Sequence, residues 1–303
     1  MKSVTIWLSF AAICIIWGTT YFGVKVCLTY FPPFFLSGLR YISAGIIFLI
    51  IYLSMNKKIP PLYNLRHSAI AGLIIITGSN ALMACGIHYV PSSFAGIMGA
   101  LAPIYVTIIS VLIFKGFKVT PLIIIGLLLS FVGVFYISRS QSSGNVDIHF
   151  WRGFMLVGLA NIFWAAGSIY IKQFPVKEHV FIKVAAQMIP AAILNFIISF
   201  IFEPRVQFAE VNIKTWLWVL YLILIGSLLA YLCFVYLIQY WQPARVTIHV
   251  YINTIVAAIL GFWLGGEQLD LFIGANLLVV LLGVIIVNNQ YSKLEKVSEE
   301  ALA

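Results

Sequence analysis

Charge is what this 303-residue sequence has least of: 18 lysines and arginines and 9 aspartates and glutamates make up 9% of the chain. A soluble globular domain carries about a quarter charged residues. Too little polar surface is left to cover the apolar content in water. Carboxylates are missing from every long apolar run, which excludes an intramembrane aspartyl dyad and a deeply buried carboxylate proton relay. Cysteine is also sparse. Cys14, Cys27, Cys85 and Cys233 form no CxxC pair, so they read as small core residues and not as a disulfide frame or metal site. No HExxH, G-x-S-x-G or G-x-x-x-x-G-K-[ST] pattern occurs. Zinc-protease, serine-hydrolase and direct ATP-driven mechanisms therefore have no sequence support, and neither enzyme activity nor a cofactor is expected.

What fills the chain is 62% hydrophobic and 15% aromatic residue, with a mean hydropathy of +1.05. Disordered chains are poor in aromatics, and a membrane-spanning helix needs about 20 apolar residues. The sequence resolves into ten apolar windows: 4–26, 34–54, 69–90, 94–114, 121–137, 150–171, 181–202, 216–238, 246–265 and 271–288. The first follows Met1-Lys2-Ser3, exceeds a typical signal-peptide core and lacks an A-x-A-like exit, so it is expected to be a retained span. Pro91 sets a surface turn between the third and fourth windows, and Pro103 and Pro190 inside windows predict kinks. The polar connector Ser138–Asn145 divides the windows into two groups of five, giving expected units of 1–140 and 141–290 with a tail over 291–303.

The basic excess, +9, would suggest nucleic acid in a soluble chain, but no basic stripe with stacking aromatics lies outside the windows. The cations instead sit at window ends. With the N-terminus inside, twelve of the 18 fall on the inner side, five on the outer, and Arg40 lies within a window. Cytoplasmic loops are enriched in Lys and Arg, so both termini are expected in the cytoplasm of a multi-pass plasma membrane protein. The partners expected are a lipid bilayer and a small-molecule substrate, without nucleic acid; the sequence leaves the oligomeric state open.

The two groups of windows resemble one another. A shift of 147 places Trp17 on Trp164, Lys25 on Lys172 and Phe34 on Phe181; a shift of 148 places Gly78-Ser79 on Gly226-Ser227 and Cys85 on Cys233. Because each group holds an odd number of spans, the second must enter the bilayer from the opposite side. Inverted repeats of this kind favour a pocket at the midplane and alternating access to it.

The run Trp17-Gly-Thr-Thr-Tyr-Phe-Gly-Val-Lys25, then His88-Tyr89-Val90-Pro91-Ser-Ser-Phe-Ala95 and Leu101-Ala102-Pro103, resembles the signature of EamA-type carriers of the drug/metabolite transporter superfamily. Trp164, Gly265-Gly266-Glu267 and Gly283-Val284 continue the likeness, which covers nearly the whole chain. It implies an all-α membrane protein of ten transmembrane helices in two inverted five-helix repeats, carrying amino acids or other small metabolites, commonly outward. The sequence departs from the family pattern at Phe117, where the first half would match Glu267, and at Thr254, opposite Pro103.

Polar residues at membrane depth are costly and mark pathways or partners. Arg40 lies seven residues into its window, about 10 Å deep at the helical rise. Its guanidinium could grip a substrate carboxylate bidentately, or could cap backbone carbonyls in the bundle. Its repeat counterpart is Gln187. Asn80, Asn161, Gln187, Asn195 and Asn253 should face inward, with Trp17 and Tyr21 sharing one helix face, Trp164 and Ser168 the matching face, and Tyr105 and Tyr251 completing an aromatic chamber. Lys25 could snorkel to the surface. Any proton coupling would fall to His88, His249 or Glu267, each also readable as an ordinary bundle or rim residue. The expected function is a secondary carrier exporting an amino acid or related zwitterion; an importer or exchanger of the same fold is the nearest alternative, and an intramembrane enzyme or channel is disfavoured.

Overall fold

The computed structural model describes residues 2–55, 58–113, 120–141, 148–241, 246, 249–267 and 270–300. Phe117, the inner-side cations Lys57, Lys115, Lys118 and Arg245, and the second half of the polar connector lie outside the described residues. The described residues are helical with no strand. In chain order the elements are α1 (Lys2–Cys27), α2 (Pro33–Ser54), α3 (Leu62–Tyr89), α4a (Ser92–Gly99) and α4b (Ala102–Ile113), α5 (Pro121–Gln141), α6 (Ile148–Gln173), α7 (Val180–Phe202), α8 (Ile213–Tyr240), α9 (His249–Gly265) and α10 (Leu271–Glu300). Six are long and apolar enough to cross a membrane, and four shorter apolar helices accompany them. Ten rods result when α4a and α4b are taken as one broken rod.

Local chemistry sets the ends. Pro33 opens α2 at a position whose N–H has no intrahelical partner anyway. The fourth rod breaks at Ala100-Leu101, just before Pro103 at the second position of α4b, where a proline lacking an N–H is tolerated. Pro190 lies inside α7, which is helical on both sides of it. Two helices start well before their apolar windows, α3 at Leu62 and α8 at Ile213. Asn212 accounts for the second, since its side chain accepts the Thr215 N–H at 2.8 Å as an N-cap.

The closest packing partners are α2 with α7 and α5 with α10; α1 lies against α8 and α9, while α6 lies against α3 and α4b. The α3–α7 crossing is tight enough that a Cβ at Gly72 would overlap the Gln187 carbonyl. Two large apolar clusters form, one containing Val24, Leu36, Ile87 and Phe94, the other Ile13, Phe48, Met188 and Phe234. Outward faces carry bare apolar side chains such as Phe200, 82% exposed, a pattern that lipid and not water would cover.

Within α3 and α8 the backbone widens to π-helix, over Leu73–Ala81 and Leu222–Leu229. The two stretches coincide under the 148-residue shift and contain the matched Gly78-Ser79 and Gly226-Ser227 pairs. Isolated π-turns within helices are frequent at functional sites. Here both flank the central cavity.

Candidate functional site

A cavity of about 90 Å³ opens between α1, α2, α3, the α4 break, α6 and α9. Its polar wall consists of Arg40, Ser79, Asn80, Asn161 and Asn253, and Trp17, Tyr21 and Trp164 supply aromatic surface. Arg40 is the sole Lys or Arg, and no carboxylate is present, among the described lining residues.

Arg40 sits on α2, 7% exposed, with its guanidinium carbon 5.3 Å from the Tyr41 ring centre. Among the described residues its side chain makes one hydrogen bond, from Nε to Ser227 Oγ at 3.3 Å. Ser227 belongs to the π segment of α8. No hydrogen bond among the described residues engages its terminal guanidinium nitrogens, which form the planar fork that suits a carboxylate.

Trp17 is held by two devices. Its Nε1–H donates to the Gly226 carbonyl in the α8 π segment at 3.2 Å, and its ring meets Trp164, His249 and Phe234 at centroid distances of 5.1, 5.1 and 5.4 Å. Asn80, in the α3 π segment, donates to the Ile75 carbonyl at 2.9 Å, five residues back. Asn161 donates to Val157 and Met98 carbonyls at 2.9 and 3.3 Å, joining α6 to α4a. Asn253, once its amide is oriented to satisfy its neighbours, donates to the carbonyls of Ile13, Cys14 and His249. His249 is buried, with Nδ1 2.7 Å from the Val246 carbonyl.

Seven of the expected residues therefore converge on one chamber: Arg40, Trp17, Tyr21, Asn80, Trp164, Asn253 and His249. The others sit elsewhere. Ser168 is fully buried and bonds back to the Trp164 carbonyl at 2.8 Å, four residues earlier on its own helix. Tyr105 packs beside Val106, Ala165 and Ile169, and the Tyr251 hydroxyl is buried without a hydrogen-bond partner, both outside the lining. Gln187 lines a second cavity and accepts the Tyr231 hydroxyl at 2.7 Å. His88 is exposed at the end of α3. Asn161, expected to face inward, also joins the lining, and so do Thr20 and Ser79, which were not among the expected site residues.

Glu267 has a structural task, not a solvated rim position. Gly266 takes a left-handed φ of 63°, which glycine adopts without strain, and the chain turns back after α9. The Glu267 carboxylate then accepts the N–H groups of Ser92 and Ser93 at 2.8 and 2.9 Å and the Ser92 hydroxyl at 2.6 Å. Glu203 does the same for α2, accepting Phe34 and Phe35 N–H groups at 2.8 and 3.0 Å. Each carboxylate satisfies orphan donors at a helix N-terminus and meets the positive end of its dipole.

Two lysines mark opposite ends of the bundle. Lys25 Nζ, at the end of α1, donates to the carbonyls of Ile87, His88 and Val90 at 2.7, 3.4 and 3.0 Å, at the end of α3. Its repeat counterpart Lys172, at the end of α6, reaches Ile238 at the end of α8 by a single contact of 3.5 Å among the described residues. A second cavity of about 370 Å³ opens beside Lys172.

With the site described, comparison decides the family. The profile of the EamA-like transporter family matches residues 5–139 and again residues 151–289. The chain belongs to the EamA-like transporter family. This EamA-like transporter is 32% identical over 277 residues to the uncharacterized inner membrane transporter YedA of Escherichia coli (strain K12), covering 91% of the chain and 88% of the relative. The uncharacterized transporter YvbV of Bacillus subtilis (strain 168) is 24% identical over 289 residues, 94% of this chain and 92% of its own. A crystal structure 17% identical matches with a TM-score of 0.70 over 97% of this chain and 99% of the other, which shows a shared fold. The EamA-like transporter is thus a multi-pass plasma membrane transporter and not an enzyme.

Proposed function

We propose that this chain is a secondary carrier that exports a small carboxylate-bearing metabolite, an amino acid or related zwitterion, by alternating access. The observation that carries this reading is the central cavity: one cation with a free guanidinium fork, ringed by asparagines and aromatic rings, and no carboxylate among the described lining residues. A substrate carboxylate would take the fork, while an ammonium would find the faces of Trp17, Trp164 and Tyr21. Residues 1–140 and 141–290 would be the two inverted units, with residues 291–303 as a tail and both termini cytoplasmic. The packing of α1 on α8 and α9 and of α6 on α3 and α4b, which interchange under that repeat, supports such a pseudo-symmetry.

The two lysine contacts support the alternating part. Lys25 clasps the ends of α1 and α3 on the side read as outer, while among the described residues its counterpart Lys172 makes only the 3.5 Å contact to Ile238, beside an open vestibule on the side read as inner. That asymmetry is what an inward-open member of a two-state pair would display, and an inward-open vestibule suits loading for export. Of the proposed coupling residues, only His249 lines the central cavity, so a proton, if one is moved, would pass through His249 or with the substrate.

Counterflow in proteoliposomes tests the carrier directly. Trans-loaded unlabelled amino acid should accelerate saturable accumulation of the labelled compound. Flux that stays linear with concentration and indifferent to trans-loading would contradict it.

A further inference from the structure

The second cavity lies at the opposite end of the bundle from Glu203 and Glu267, between the start of α3, the end of α6, the start of α7 and the end of α8. Lys172, Lys183 and His67 line it with the amides of Gln187 and Gln239, and no carboxylate lines it among the described residues. Lys172 and Lys183 are half-buried, whereas Lys177 in the same α6–α7 region is exposed. A lysine that serves only to orient helices extends its head into water or headgroups. These two line a cavity instead. Among the described residues Lys172 is held by one contact of 3.5 Å to the Ile238 carbonyl, and His67 pairs with the Tyr170 hydroxyl at 2.8 Å.

Between this vestibule and the central cavity stand the Tyr231–Gln187 hydrogen bond and the Trp17–Trp164–Phe234 ring cluster. The vestibule and the central cavity are thus lined together by three basic side chains, Lys172, Lys183 and Arg40, and by no carboxylate among their described residues. A cleft of one sign with low-dielectric walls focuses its field and raises the local concentration of opposite charge. A neutral zwitterion gains little from such a field, because attraction of its carboxylate is offset by repulsion of its ammonium. A net anion gains throughout.

We infer that the vestibule is an anion-capture site in which Lys172 and Lys183 hold the substrate before it passes to Arg40, and that the substrate carries net negative charge. This deepens the proposed function and rests on it: the substrate would be an acidic member of the proposed class, with one carboxylate beyond the one that Arg40 holds. Capture by Lys172 would also compete with the Ile238 carbonyl for the same ammonium, so an occupied vestibule would keep the inner end open.

The test uses the full-length chain in proteoliposomes of sorted orientation, with L-glutamate and succinate as anionic probes and L-leucine as the neutral one. Saturable counterflow of at least one anion is expected. The double variant Lys172→Gln/Lys183→Gln should raise its KM about tenfold for loading from the vestibule side, abolish the salt dependence of that KM, and leave KM from the opposite side unchanged. Lys172→Arg/Lys183→Arg should restore the parent values, which separates charge from packing. A KM that rises equally from both sides, or is not restored by arginine, would overturn the capture role. Saturable, Arg40-dependent counterflow of L-leucine with no anion transported would overturn the inference and leave the carrier standing. No counterflow of any probe would remove both.

Discussion

Replacing Arg40 by glutamine removes the one cation of the central cavity while preserving a polar side chain that can still reach Ser227, which Arg40 meets at 3.3 Å through Nε. What is lost is the terminal fork. A hydrogen bond to a charged group contributes about 1.5–3 kcal/mol, and each 1.4 kcal/mol is about a factor of ten in an equilibrium constant. Losing one such bond should raise KM for a carboxylate substrate about 10- to 150-fold, and losing both prongs by more. Arg40→Lys keeps the charge without the planar fork and should fall between. The assay is initial-rate counterflow with purified variants, alongside thermal melts. An analogue lacking the carboxylate supplies the control, since it should be equally poor with parent and Arg40→Gln protein. If Arg40 instead only supports the bundle, the melting temperature would drop while KM of the folded fraction stayed within about threefold of the parent, and the assignment of Arg40 to the substrate would be refuted.

Substitutions at two further positions probe the frame around the cavity. Glu267→Gln should cost about 1 kcal/mol through loss of charge at the α4a N-terminus, and Glu267→Ala more, because the Ser92 and Ser93 donors then lose their acceptor; unchanged melting for both in lipid nanodiscs would show the cap to be unimportant. Gly72→Ala would drive a methyl into the Gln187 carbonyl where α3 crosses α7, so loss of folded yield or a melting point lowered by several degrees is expected, and parent-like stability would mean that the crossing is looser than described.

Much of this architecture could be read in the residues alone, because lipid leaves few options: every backbone polar group must be satisfied internally, so apolar runs of sufficient length become helices. Arg40 and the tryptophan pair were legible for a related reason, since a charge or an indole N–H at depth needs a partner. Other features were not. Ser168 shares a helix face with Trp164, yet its hydroxyl turns back to its own backbone, an option that spacing does not reveal. Glu267 and Glu203 are distant in sequence from the helix ends they cap. Lys172 and Lys183 register as topology signals until the cavity they line is seen. The π segments had one visible trace, the Gly-Ser pair repeated at 78–79 and 226–227, whose meaning depends on where the helices are packed.

The central claim is that the two ends of the bundle open in turn around a fixed cavity. Spin-label distances in nanodiscs measure it most directly, with one pair at His88 and Ile213 at the Lys25 end and its repeat-related pair at Arg66 and Tyr236 at the Lys172 end. On addition of a transported substrate the two distances should change in opposite directions, and Lys25→Met should bias the His88–Ile213 pair toward the wider value without substrate. Two distances that stay fixed, or widen and narrow together, would contradict it.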